Sequence, residues 1–118
     1  MKIRIKGNSI RFRLTRSEVD GLGSENSISE TVDFGDRLLI YSVSCTKSEL
    51  LSVSFTDDNL TLWFPIMLLN EWKSTEKVGY KSESGKLTLL IEKDFTCLDN
   101  VEEDQSDNFP NPLLRDKI

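Results

Sequence analysis

Histidine is absent from the 118 residues. That removes Ser-His and Cys-His nucleophile activation, and the imidazole ligands that most catalytic zinc sites use. Familiar hydrolase chemistry is therefore not expected, and no cofactor is called for. Cysteine is scarce: Cys45 and Cys97 are the two present, too few for a disulfide framework. Cys97 follows carboxylates, which raise rather than lower a thiol pKa, so a packed thiol is expected there and not a reactive one. No apolar run approaches the roughly 18 residues that span a bilayer. The N-terminus alternates charge with isoleucine where a signal peptide would be continuously apolar. These absences lead to an expectation of a cytoplasmic protein with no membrane partner.

What is present fits one ordinary domain, with 37% hydrophobic and 30% charged residues. A net charge of −5 disfavours nucleic acid, whose binders normally carry a basic footprint. The average conceals an asymmetry. Residues 1–16 contain Lys2, Arg4, Lys6, Arg11, Arg13 and Arg16 with no acid, whereas residues 92–107 contain Glu92, Asp94, Asp99, Glu102, Glu103, Asp104 and Asp107 against Lys93. The two ends are electrostatically complementary.

Residues 2–14 alternate strictly with period two around Gly7-Asn8, which predicts a hairpin. Thr15-Arg16-Ser17-Glu18 then has the pattern of a capping box, with Leu14 and Val19 at the staple positions. A short helix is predicted from there, ending near Gly21 or Gly23. Two β-rich runs over 28–34 and 37–44, around Gly35-Asp36, predict a second hairpin. A shift of 50 repeats this order: Ile3 falls on Val53, Ile5 on Phe55, Ile10 on Leu60, Phe12 on Leu62, Leu14 on Phe64, Val19 on Leu69, Leu22 on Trp72 and Gly35 on Gly85. Pro65 stands where a proline is tolerated at a helix start.

The expected fold is α+β, with two tandem ββαββ units forming mainly antiparallel sheet or an incomplete barrel with two short helices. Residues 1–98 are read as a single globular domain of two pseudo-repeats, about 1–48 and 49–98, followed by an acidic, proline-containing tail over 99–118.

A two-residue turn at Gly7-Asn8 makes cross-strand partners sum to 15, pairing Lys2 with Arg13, Ile3 with Phe12, Arg4 with Arg11 and Ile5 with Ile10. One face is then basic and the other apolar. The matching positions of the second half, Ser52, Ser54, Thr61 and Trp63, are uncharged, so the fold itself does not require the basic face. Lys2, Arg4, Lys6, Arg11 and Arg13 are accordingly the expected anion- or partner-binding residues. Glu102, Glu103, Asp104 and Asp107 of the chain's own tail, or an anionic protein partner, are the expected contacts. Glu92 and Asp94 are weak candidates for holding a hard cation, lacking EF-hand spacing.

Three function classes follow. The first is a non-enzymatic binding or protein-interaction domain using the basic hairpin. The second is a phosphate-handling, metal-assisted enzyme, which requires the basic and acidic faces to line one cavity. The third is a structural subunit or homodimer assembling through the apolar second helix, by way of Met67 or Trp72.

The opening MKIRIKGNSIRFRLTRSEV, the EKDFTCL at 92–98 and the acidic run closing on FPNP at 109–112 together resemble a family of short bacterial proteins described as a domain of unknown function. The resemblance spans nearly the whole chain. It implies a bacterial, cytoplasmic protein whose distinctive parts are the basic hairpin and the acidic tail, and it assigns no catalytic residue.

Overall fold

Period-two alternation dictates which side chains share a face, and the first hairpin follows it throughout. Strands β1 (Lys2–Lys6) and β2 (Ser9–Leu14) pair antiparallel in the expected register, Lys2 with Arg13, Ile3 with Phe12, Arg4 with Arg11 and Ile5 with Ile10. Gly7, at φ 55°, supplies the left-handed residue that the two-residue turn needs. The structure, a computed structural model, describes residues 1–95. The proposed tail, with Cys97, Glu102, Glu103, Asp104 and Asp107, lies outside the described residues.

Helix α1 (Arg16–Glu25) starts on the capping box. The Thr15 hydroxyl accepts from the Glu18 backbone at 3.3 Å, and Glu18 accepts from the Thr15 backbone at 2.9 Å. The helix does not stop at Gly21 or Gly23 as expected. It runs to a left-handed Asn26, whose backbone donates to the Leu22 carbonyl at 3.1 Å. Asparagine tolerates that conformation. Gly23 has a packing role instead, since a β-carbon there would lie 3.1 Å from Lys73 Nζ and 3.7 Å from Leu69 Cδ2 of the second helix.

Glu18 also receives the buried Met1 amine. Burial pushes the Glu18 carboxyl up, but the hydrogen bonds from that amine and from Thr15 outweigh it and hold the group below its ordinary value of 4.5. A depressed carboxylate stabilises the fold above its unfolded value, and the benefit is lost as pH falls through the folded one. Glu18→Gln is expected to cost about 1 kcal/mol at neutral pH and to flatten the acid limb of stability. Melting curves between roughly pH 7 and 3 check this, and parallel acid limbs for the two proteins would contradict it.

The remaining strands are β3 (Ser27–Asp33), β4 (Leu38–Thr46), β5 (Ser52–Thr56), β6 (Asn59–Pro65), β7 (Gly79–Ser84) and β8 (Leu87–Lys93). After Pro65 a 3-10 turn (Ile66–Leu68) leads into α2 (Leu69–Ser74). The strands form two four-stranded sheets, ordered β1-β2-β8-β7 and β3-β4-β6-β5. Each combines a hairpin from the first half with one from the second, joined by parallel pairs, β2 with β8 and β4 with β6. The fold is thus α+β and mostly antiparallel. The single curved sheet or incomplete barrel is replaced by two sheets, because the hairpins exchange partners between halves.

The offset of 50 holds in part. Leu62 lies 50 beyond Phe12, but their partners in the parallel pairs, Val43 and Ile91, are 48 apart. From Phe12 to Ile28 is 16 residues, while from Leu62 to Tyr80 is 18; from Ile28 to Val43 is 15, while from Tyr80 to Ile91 is 11. The second half therefore has a longer helical connection and a shorter hairpin. Gly35 (φ 94°) and Gly85 (φ 60°) coincide in number although they sit in turns of different length.

One hydrophobic cluster joins both sheets and both helices, with Phe12, Leu14, Leu22, Val43, Leu62, Phe64, Trp72 and Ile91 essentially sealed from water. Beside it, Phe64, Trp72 and Tyr80 form an aromatic triad with centroids 5.3–6.1 Å apart. Tyr80 is pushed up to about 12, first by burial and then by its hydrogen bond to Glu71. Two residues of the apolar ladder are not core: Ile5 and Phe55 are 64% and 66% exposed. Each is the apolar-face residue nearest its turn.

Candidate functional site

The outer face of the first sheet carries the charge. Alternation on β1 and β2 places Lys2, Arg4, Lys6, Arg11 and Arg13 opposite the core, where Ile3 and Phe12 are directed inward. Lys2 faces Arg13 and Arg4 faces Arg11 across the ladder. Such like-charge neighbours destabilise a sheet unless counter-charge is near.

Part of that counter-charge comes from β8. Arg13 is in register with Glu92, whose Oε1 lies 3.3 Å from Arg11 Nε and 3.8 Å from Arg13 Nε. Asp94 Oδ2 lies 3.2 Å from Lys2 Nζ, anchored by its backbone donating to the Leu14 carbonyl at 2.8 Å. The Arg11 Nε atom is buried yet makes no hydrogen bond, so its contact with Glu92 is an ion pair without the alignment of one.

Sequence reasoning placed Glu92 and Asp94 apart from the basic hairpin as weak metal ligands. The structure brings all of them onto one face, with both carboxylates against cations, so they act as counter-ions of the sheet. Among the described residues no group of three or more His, Cys, Asp or Glu side chains is arranged to hold a metal ion. The phosphate-handling reading needs the basic and acidic residues to line one cavity, whereas here they lie side by side on one outer sheet face. The assembly reading changes too: Trp72 is fully buried, with Nε1 donating to the Val78 carbonyl at 3.1 Å, which leaves Met67 and Ile66 as the outward residues.

The corresponding face of the second sheet is uncharged, as expected. Ser52 faces Trp63 and Ser54 faces Thr61, with Trp63 Nε1 donating to Ser54 Oγ at 3.0 Å.

A second feature was missed. At the turn end of the second sheet Phe34, Leu38, Leu39 and Phe55 line an open cavity of about 510 Å³, bordered by Asp36, Arg37 and Asp58. Arg37 grips Asp58 through two hydrogen bonds of 2.8 Å, which raise the guanidinium and lower the carboxyl from their ordinary values. Asp57 and Asp58, at φ 50° and 63°, form the turn beneath it. The available signal was Phe34, a large apolar residue against a turn glycine.

No helix among the described residues is long and apolar enough to cross a membrane. No curated protein and no solved structure matches the chain. A match over residues 1–113 shows that the chain belongs to the family of unknown function DUF7009.

Proposed function

We propose that this is a small non-enzymatic interaction domain whose basic hairpin face receives an acidic polypeptide segment. The observation that carries the reading is the charge on the outer face of the first sheet. Lys2, Arg4, Lys6, Arg11 and Arg13 share that face, where Asp94 pairs with Lys2 and Glu92 with Arg11 and Arg13. This basic hairpin belongs to a chain of net charge −5. Arginine at Arg4, Arg11 and Arg13 suits carboxylate recognition, because the planar fork donates in pairs.

The nearest acidic segment is the chain's own, Asp99 to Asn108, with Glu102, Glu103, Asp104 and Asp107 as contacts. Tethering gives it a high effective concentration, so it competes with any external segment. In this reading the chain is two ββαββ halves that exchange their second hairpins, a single domain over 1–98 with an acidic tail. It works in the cytoplasm of a bacterium, where Cys45 stays a thiol.

The test uses the full chain and a synthetic peptide of residues 99–108. Neutralising the tethered run (Glu102→Gln, Glu103→Gln, Asp104→Asn, Asp107→Asn) is expected to tighten peptide binding by roughly tenfold, about 1.4 kcal/mol. The gain should shrink as salt is raised. Equal affinity for parent and neutralised variant, or binding insensitive to salt, would overturn the reading.

A further inference from the structure

We propose that the apolar groove at the turn end of the second sheet is the docking site of the chain's own segment Phe109-Pro110-Asn111-Pro112-Leu113-Leu114. The inference stands apart from the basic face, since it concerns a different sheet, a different segment and apolar rather than ionic contact.

The groove is large and unfilled among the described residues. Phe34, Phe55 and Leu38 are 64%, 66% and 46% exposed around the cavity of about 510 Å³, and Val32, paired with the lining residue Leu39, is 39% exposed. Large apolar residues clustered at one place, and not scattered singly, mark a surface that something covers. The Arg37–Asp58 fork closes one side, its two charges matched by paired hydrogen bonds.

The place where the described chain ends selects the occupant. Asp94 contacts Lys2 at 3.2 Å, and the neighbouring Met1 amine lies 3.6 Å from Glu30 on β3. Glu30 shares its face with Tyr41, whose hydroxyl donates to it at 2.8 Å. The next pair on that face is Val32 with Leu39, the inner end of the groove. Two residues of strand cover about 7 Å. Phe95 follows Asp94 at the start of this series of contacts, and the 23 residues after it contain Phe109 to Leu114, with Phe109, Leu113 and Leu114 the densest set of large apolar side chains.

Reach is ample. The 14 residues from Phe95 to Phe109 span at most about 50 Å, enough to cross the basic face first. Pro110 and Pro112 favour extended backbone and limit the entropy lost on docking. An extended segment presents side chains to alternating sides, so Phe109 and Leu113 project together into a groove walled by Phe34 and Phe55.

The experiment places a nitroxide at position 116 (Asp116→Cys, with Cys45→Ser and Cys97→Ser) in the full, methyl-labelled chain. The methyl signals of Val32, Leu38 and Leu39 are expected to lose intensity, independently of protein concentration, while those of Leu69, beyond the far end of β6, do not. Leu113→Asp with Leu114→Asp should restore them, as should Phe55→Asp, an exposed position whose replacement leaves the core intact. The proposal is overturned by full groove intensities in the labelled parent. It is equally overturned if the loss appears only when spin-labelled chains are mixed with separate isotope-labelled ones, which would assign the groove to a second copy. Neutralising Glu102, Glu103, Asp104 and Asp107 tests the basic-face reading in the same sample, so the two fail separately.

Discussion

Trp72→Ala is expected to lower the unfolding free energy by about 3–5 kcal/mol, against the roughly 5–15 kcal/mol that holds a domain of this kind together. Trp72 is the largest of the fully buried side chains. It packs 5.3 Å from the Phe64 ring and 6.1 Å from Tyr80, and its indole nitrogen satisfies the Val78 carbonyl. Truncation removes the apolar contact and leaves a cavity between two aromatic faces. The Val78 carbonyl keeps its hydrogen bond from the Lys93 backbone at 2.8 Å, so the loss is mainly one of packing. Met67→Ala on the same helical segment, at a residue 55% exposed, should stay within about 0.5 kcal/mol. Urea unfolding of the two variants checks the contrast, and similar losses would mean that the helix does not bury the face described.

Gly79→Ala should be comparably damaging for a different reason, with a cost of at least about 3 kcal/mol. A β-carbon at Gly79 would lie 1.9 Å from the Ile91 carbonyl oxygen and 2.8 Å from Glu92 Cα. Both are backbone atoms of the neighbouring strand, so no side-chain rotation relieves the overlap. The strand pair Gly79–Glu92 would have to open, displacing Glu92 from Arg11 and Arg13. A loss of stability in urea unfolding is the expected result. Gly7→Ala, where a β-carbon meets nothing within 4 Å but φ is 55°, provides the comparison of strain without collision, at about 1 kcal/mol. Near-parent stability for Gly79→Ala would show that β7 sits farther from β8 than described.

Local chemistry was legible in the sequence wherever the cause is local. Gly7-Asn8 fixed a turn length, and the turn length fixed the register from Lys2–Arg13 to Ile5–Ile10. Thr15 and Glu18 formed the predicted capping box. Partner choice between distant strands was not legible, because alternation tells which side of a strand is apolar and nothing about which strand lies next to it. Arg11 and Glu92 are 81 positions apart, the difference between their numbers, and a parallel β2–β8 pair leaves no mark in either segment alone. For the same reason alternation did not show that Ile5 and Phe55, on the apolar face of their hairpins but nearest the turns, stay exposed. Phe34 was read as the last residue of the β-rich run over 28–34, so the groove it forms with Phe55 and Leu38 escaped notice.

The central claim is that the first sheet's outer face recognises acidic polypeptide through charge. Charge reversal with rescue tests it most directly, because a folding defect cannot be rescued by changing the peptide. In the full chain with its own acidic run neutralised, Lys2→Glu with Lys6→Glu should weaken binding of the 99–108 peptide by at least about tenfold. The same double variant should bind a peptide carrying lysine at the acidic positions more tightly than its parent does. Unchanged affinity for the acidic peptide, or no preference for the lysine peptide, would contradict the account.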